Sequence, residues 1–124
     1  MPFAPALFLA LARTLANQPT DEARLRTAVS RAYYAVFLTA RDRLRVPGTG
    51  HAAVLQATRA SHRAAGYQLD ALYQLRVLAD YNLDPADPTR TNWQTNWTRA
   101  DALAARLMPL AAALAPPPPA PRGA

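Results

Sequence analysis

Arg76 and Asp80 stand four residues apart, with Tyr81 next in the chain. In a helix that spacing puts the arginine and the aspartate on one face. Such an arginine can bind a phosphate through its fork of N–H donors while the aspartate orients it. The same spacing also makes an intrahelical or inter-subunit ion pair, which can fix geometry without adding stability. Ser30, Arg31, Tyr34 and Arg41 form a second polar group. Ser30 and Tyr34 lie one turn apart and, with Arg31, are candidates to line a cleft beside Arg76. Packing and solvated-face roles are the alternative. His51 follows Gly50. A histidine opening a helix can contact phosphate beside the free backbone amides, or move protons near neutrality. A capping or solvated role is the alternative. Tyr81 offers either a functional hydroxyl or a core ring whose hydroxyl reaches backbone.

Other polar residues carry weaker signals. Trp93 and Trp97 can stack bases, but both fall on an apolar stripe, where core or dimer packing is expected. Arg59 and Arg63, one turn apart, extend a basic surface or form a solvated face. His51 and His62 are not spaced as metal ligands, so no metal and no cofactor is expected.

All 14 basic residues are arginine, Glu22 is the sole glutamate, and the formal net charge is +6. That balance favours anionic partners such as RNA, nucleotides or an acidic protein. A GC-rich coding bias explains the preference for Arg, Ala and Pro without invoking function, but the charge acts whatever its origin. There are no cysteines, which excludes disulfides, zinc-thiolate sites and cysteine nucleophiles and fits a reducing cytoplasm. The apolar start lacks a basic leader, is interrupted by Pro5 and runs into Arg13, so export is not expected. No apolar stretch reaches the roughly 18 residues a membrane span needs.

These residues must be positioned by helices. The 124-residue chain fits one domain, and much of its 51% hydrophobic content is alanine, a strong helix former with little area to bury. Phe3, Leu7, Leu11 and Leu15 recur at helical spacing in a first helix over about residues 4–16. Thr20 is the expected cap of a second helix, with Asp21 and Glu22 in its first turn. Val29, Tyr33, Val36, Phe37, Ala40 and Leu44 line one face of it. Val46-Pro47-Gly48-Thr49-Gly50 ends it. A third helix is expected over about 51–65, with Gly66 as its C′ residue. It carries only Val54 and Leu55 as large apolar residues and should be peripheral. A fourth, over about 68–81, is apolar on two sides: Leu69, Leu72 and Tyr73 on one, Leu75, Leu78 and Ala79 on the other. Asp84-Pro85 and Asp87-Pro88 mark a loop. Thr91 and Gln94 then read as a capping box. Trp93, Trp97, Ala100, Ala104, Leu107, Ala111 and Leu114 form the stripe of a fifth helix, which Pro109 should kink near its end. Residues 1–115 are thus expected to fold as an antiparallel helical bundle. The proline-rich residues 116–124 are expected to form a disordered tail.

The run Ser30-Arg31-Ala32-Tyr33-Tyr34-Ala35-Val36-Phe37, followed by Ala40 and Arg41, resembles the second-helix signature of a HEPN subfamily of small bacterial and archaeal proteins. The acronym stands for higher eukaryotes and prokaryotes nucleotide-binding. Leu75-Arg76-Val77-Leu78-Ala79-Asp80-Tyr81 resembles that subfamily's fourth-helix pattern, and His51 fits a histidine opening the third helix. The resemblance covers about residues 4–114. It implies an all-α, up-down bundle of four or five helices that often forms a two-fold homodimer. Many members are RNases. Others pair with a small nucleotidyltransferase in two-gene toxin–antitoxin modules, and some of these are AMP-modified on a tyrosine near the motif. RNase members carry an arginine and, a few residues later, a histidine, gathered by two subunits into a basic cleft.

The chain departs from that motif at one residue. Arg76 is present, but Tyr81 stands where the histidine belongs, and no histidine follows it. Metal-free RNA cleavage needs one group to take the 2′-hydroxyl proton and another to protonate the leaving oxygen. Histidine suits both tasks, whereas tyrosine ordinarily titrates near about pH 10 and is a poor base at neutrality. Three functions stay open on sequence. The first is an RNA- or nucleotide-binding module using Ser30, Arg31, Tyr34, Arg41 and Arg76. The second is a metal-independent endoribonuclease using Arg76 and Asp80 with His51 or Tyr81. The third is a structural subunit that dimerises or covers a partner such as a nucleotidyltransferase.

Overall fold

A computed structural model describes residues 3–17, 21–84 and 92–116. Those residues form five α-helices and no strand: α1 (Ala6–Asn17), α2 (Glu22–Leu44), α3 (His51–Ser61), α4 (Arg63–Tyr81) and α5 (Trp93–Ala112). α2 touches each of the other four. Its apolar row explains this, because Val29, Tyr33, Val36, Phe37, Ala40 and Leu44 are all buried, joined by Leu25, Ala28, Ala32 and Ala35. The alanines let neighbouring backbones approach closely, and the large side chains fill the space between them.

Local chemistry sets the helix ends. Asp21 caps α2, its Oδ1 accepting from the Arg24 amide at 2.9 Å. The expected cap, Thr20, lies outside the described residues. Arg45 closes α2 in the left-handed region (φ 57°), its N–H reaching back to the carbonyls of Arg41 and Asp42. Gly48 (φ 81°) then turns the loop. Asn92 caps α5 by accepting from the Thr95 amide at 3.0 Å. Thr91, the expected cap, also falls outside the described residues, as do Pro85 to Arg90 and residues 117–124, and with them all of the expected proline-rich tail but Pro116. α5 continues through Pro109 to Ala112, and Trp93, Trp97, Ala100, Ala104, Leu107 and Ala111 are buried along it.

Two expectations need correction. The break between α3 and α4 falls at His62, and Gly66 is not a C′ residue. His62 adopts an extended conformation and its Nδ1 accepts from the Ala65 amide at 3.0 Å, so it caps α4 and lets that helix start five residues before the expected Gln68. Gly66 lies buried inside α4, where a Cβ would fall 2.9 Å from Arg59 Cα and 2.2 Å from Arg59 Cγ. Its value is close approach to α3, not a left-handed turn. The second correction concerns α1. Phe3, Leu7 and Leu11 are exposed, whereas Leu9 and Ala12 are buried. Residues 3–12 are apolar almost all round, so spacing alone does not select a face; α1 is seated by Leu9 and Ala12, which join the core cluster.

Side-chain pairs give the helix directions. Arg26 near the start of α2 donates to the carbonyls of Ala79 (2.7 Å), Leu78 (2.9 Å) and Asn82 at the end of α4. Further along, Tyr34 meets Arg76, so α2 and α4 run in opposite directions. Arg26 lies over Trp93 and Arg43 donates to the Leu114 carbonyl, so α2 and α5 run the same way. α3 rests on α4 and α2 and buries only Val54 and Thr58, as its composition foretold. Among the described residues no helix is long and apolar enough to cross a membrane.

Candidate functional site

The antiparallel crossing of α2 and α4 brings Ser30, Tyr33 and Tyr34 against Tyr73, Arg76 and Asp80. Each set repeats at one-turn spacing, so both helices offer a polar row beside an apolar one. Ser30, itself buried, donates to Asp80 Oδ2 at 3.3 Å. Arg76 Nε lies 2.9 Å from the same oxygen, an ion-pair contact whose angle is too bent for a hydrogen bond. Arg76 Nη2 donates to the Tyr34 hydroxyl at 2.9 Å. The guanidinium also lies 6.0 Å above the Tyr33 ring, 5.4 Å above Tyr34 and 5.6 Å above Tyr81. Three aromatic rings and one carboxylate thus fix a side chain that is 17% exposed. Burial opposes its charge, but Tyr34, Asp80, Tyr81 and Tyr33 outweigh that and hold its pKa above the ordinary arginine value.

His51 enters the same cluster from the start of α3. Its ring stacks on Tyr73 at 3.5 Å and an interplanar angle of 11°. Its Nδ1 lies 2.6 Å from the Tyr33 hydroxyl. Its Nε2 is buried without a hydrogen-bond partner among the described residues, and Asp70 Oδ1 stands 4.0 Å away. Burial pushes the His51 pKa down, and Arg76 pushes it further, while Asp70 opposes both. Burial likewise raises the Tyr33 hydroxyl above the usual tyrosine range, with Tyr34 adding to the effect and Arg76 opposing it. Both shifts favour a neutral pair in which Tyr33 donates to Nδ1 and the imidazole proton sits on Nε2. In that state the one basic lone pair of His51 is already engaged.

Arg76, Asp80, Tyr34, Ser30, Tyr81 and His51 therefore share one region. Tyr81 lies at its open edge, 67% exposed. Arg31 borders it, 4.9 Å over Tyr34 and 5.1 Å over Phe8. Arg41 does not join: it donates to the Gly48 carbonyl at 3.1 Å, beside Arg45 and Thr49 in the loop after α2. Arg41 stands eleven positions after Ser30 in α2, which carries it roughly 16 Å along the axis. Tyr33, Tyr73 and Asp70 are part of the cluster, but in sequence the two tyrosines read only as members of apolar faces and Asp70 did not stand out. A hydroxyl on each of two rings in otherwise apolar rows was the available signal. No group of metal-ligating side chains occurs among the described residues.

Comparison of the chain with protein-family models yields no match, and neither curated proteins nor solved structures yield one.

Proposed function

We propose that this chain is a HEPN-like module that binds RNA or nucleotide phosphate at Arg76 without cleaving it, and that it acts as a homodimer. One observation carries the reading. Arg76 is held by Tyr34 and Asp80 at the edge of the α2–α4 crossing, while the histidine beside it has Nδ1 engaged and Nε2 buried. An oriented guanidinium can exchange its contact with Asp80 for a phosphate. A histidine so enclosed cannot take a proton from a ribose hydroxyl without rearrangement. The opposed directions of α2 and α4, the shared direction of α2 and α5, and the sequence signatures support the family assignment. The resemblance points to a nucleotidyltransferase as a protein partner.

The endoribonuclease reading retains one favourable observation: His51 and Arg76 both neighbour Tyr33. A single experiment separates the two. Purified protein and an Arg76→Ala variant are incubated with mixed RNA in EDTA, and binding is followed at low and high salt. The binding module leaves the RNA intact, binds it less as salt rises, and loses about tenfold in affinity for phosphate on truncation of Arg76. Cleavage by the native protein alone establishes the nuclease instead. No affinity for RNA or for nucleotides at low salt removes the reading. A monomer by sedimentation removes its homodimer.

A further inference from the structure

We infer that the α3–α4 hairpin carries a second nucleic-acid contact, a stacking platform for unpaired bases built from Tyr67, Arg59 and Arg63. This rests on the nucleic-acid reading above but not on the Arg76 site. Tyr67 is a large aromatic with 55% of its surface exposed, and Arg59 and Arg63 are exposed beside it. The guanidinium of Arg59 lies 5.3 Å from the ring centroid and that of Arg63 lies 5.8 Å away. No carboxylate among the described residues pairs with either arginine. Asp70, the next acid along α4, is directed at His51.

The arrangement is built by the fold. Arg63 and Tyr67 lie one turn apart on α4, whereas Arg59 comes from α3. Gly66 brings the two helices so close that there is no room for a Cβ against the Arg59 backbone, and this places Arg59 over the neighbouring Tyr67. Two unpaired cations on an exposed ring match what single strands offer. A base presents a flat face that stacks on tyrosine, and its flanking phosphates accept from guanidinium groups. Contacts at the outer limit of cation–π range on a wetted surface are weak. The arginines therefore lose little when they swing to phosphates and leave the ring to a base. An acidic peptide satisfies the arginines but leaves Tyr67 unused.

The test is fluorescence anisotropy at low salt with a labelled short oligouridylate, its DNA counterpart, an abasic strand of the same length and a duplex. Tyr67→Ala should weaken binding of the base-bearing strands by about tenfold and leave the abasic strand unchanged. Replacing Arg59 and Arg63 together by alanine should weaken all single strands and flatten their salt dependence. RNA and DNA strands should bind alike, because stacking and phosphate contacts ignore the sugar. Tyr67 and both arginines are exposed, so unchanged circular dichroism is expected for these variants. Native affinity in Tyr67→Ala, or preference for the duplex, overturns the platform. If Arg76→Ala alone abolishes strand binding, the platform is wrong and the Arg76 reading stands. If strands bind through Tyr67 and are indifferent to Arg76→Ala, the platform stands and the Arg76 site fails.

Discussion

The short contact between Tyr33 and His51 joins two groups that burial keeps neutral. Tyr33→Phe keeps the ring packing but leaves Nδ1 buried without a donor. That should cost about 1–3 kcal/mol, read as a lower urea midpoint. His51 also gives stability a pH dependence. Its folded pKa lies below the ordinary 6.5, chiefly through burial, so below that pH the unfolded chain binds the proton more readily than the folded one. Its contribution is complete above about pH 6.5 and declines as pH falls towards the lowered folded value. Urea midpoints at pH 8 and pH 5 should therefore differ more for the native protein than for His51→Gln. Equal differences would mean that His51 is not the titrating group. Arg76, Asp80 and their one-turn spacing were plain in the sequence. That Tyr33 neighbours both Arg76 and His51 was not, because residues 33, 51 and 76 are far apart in the chain.

Helix ends and helix approaches account for the features that spacing alone misplaced. Arg26 donates to three carbonyls in and just beyond the last turn of α4, where backbone donors run out; of the three, the Leu78 carbonyl also accepts from the Asn82 amide. Its aliphatic stem is partly buried, so Arg26→Met tests the guanidinium with the volume kept. A loss of about 1–3 kcal/mol in urea unfolding is expected. Gly66→Ala sets two magnitudes against each other. Alanine gains about 1 kcal/mol in helix propensity. The new Cβ must displace Arg59 backbone at 2.9 Å, however, and such overpacking costs about 1–3 kcal/mol. The Arg59 side chain can turn aside, but its Cα cannot, so a lower melting temperature is expected. An unchanged or raised value would show that α3 separates from α4 at little cost. Sequence marked Gly66 as punctuation, since glycine ends helices far more often than it joins them. Only the tertiary contact shows that its missing side chain matters.

At the scale of the molecule, the charge of +6 comes entirely from arginine, and several of these arginines already hold carbonyls, carboxylates or rings. Affinity for RNA should therefore track Arg76, whose contact with Asp80 can be exchanged for phosphate, and exposed arginines such as Arg59 and Arg63 that no carboxylate among the described residues holds. Affinity should fall steadily with salt, with a slope reporting only those contacts. A salt-independent affinity would mean that phosphate is not what is recognised. α2 connects every other element, so the polar row that faces α4 is supported on all sides by its apolar rows.

The sequence by itself determined that this chain is helical, that α2 and α5 present continuous apolar stripes, and that the tryptophans lie inward. Those properties follow from side-chain periodicity, which is a local quantity. Only the tertiary structure decided which face of α1 is buried, that His62 and not Gly66 divides α3 from α4, that Arg41 is remote from Arg76, and that His51 stacks on Tyr73. Each of these depends on how helices rotate and cross. Rotation and crossing are set by the packing of neighbouring side chains from distant parts of the chain, which no spacing within one segment encodes.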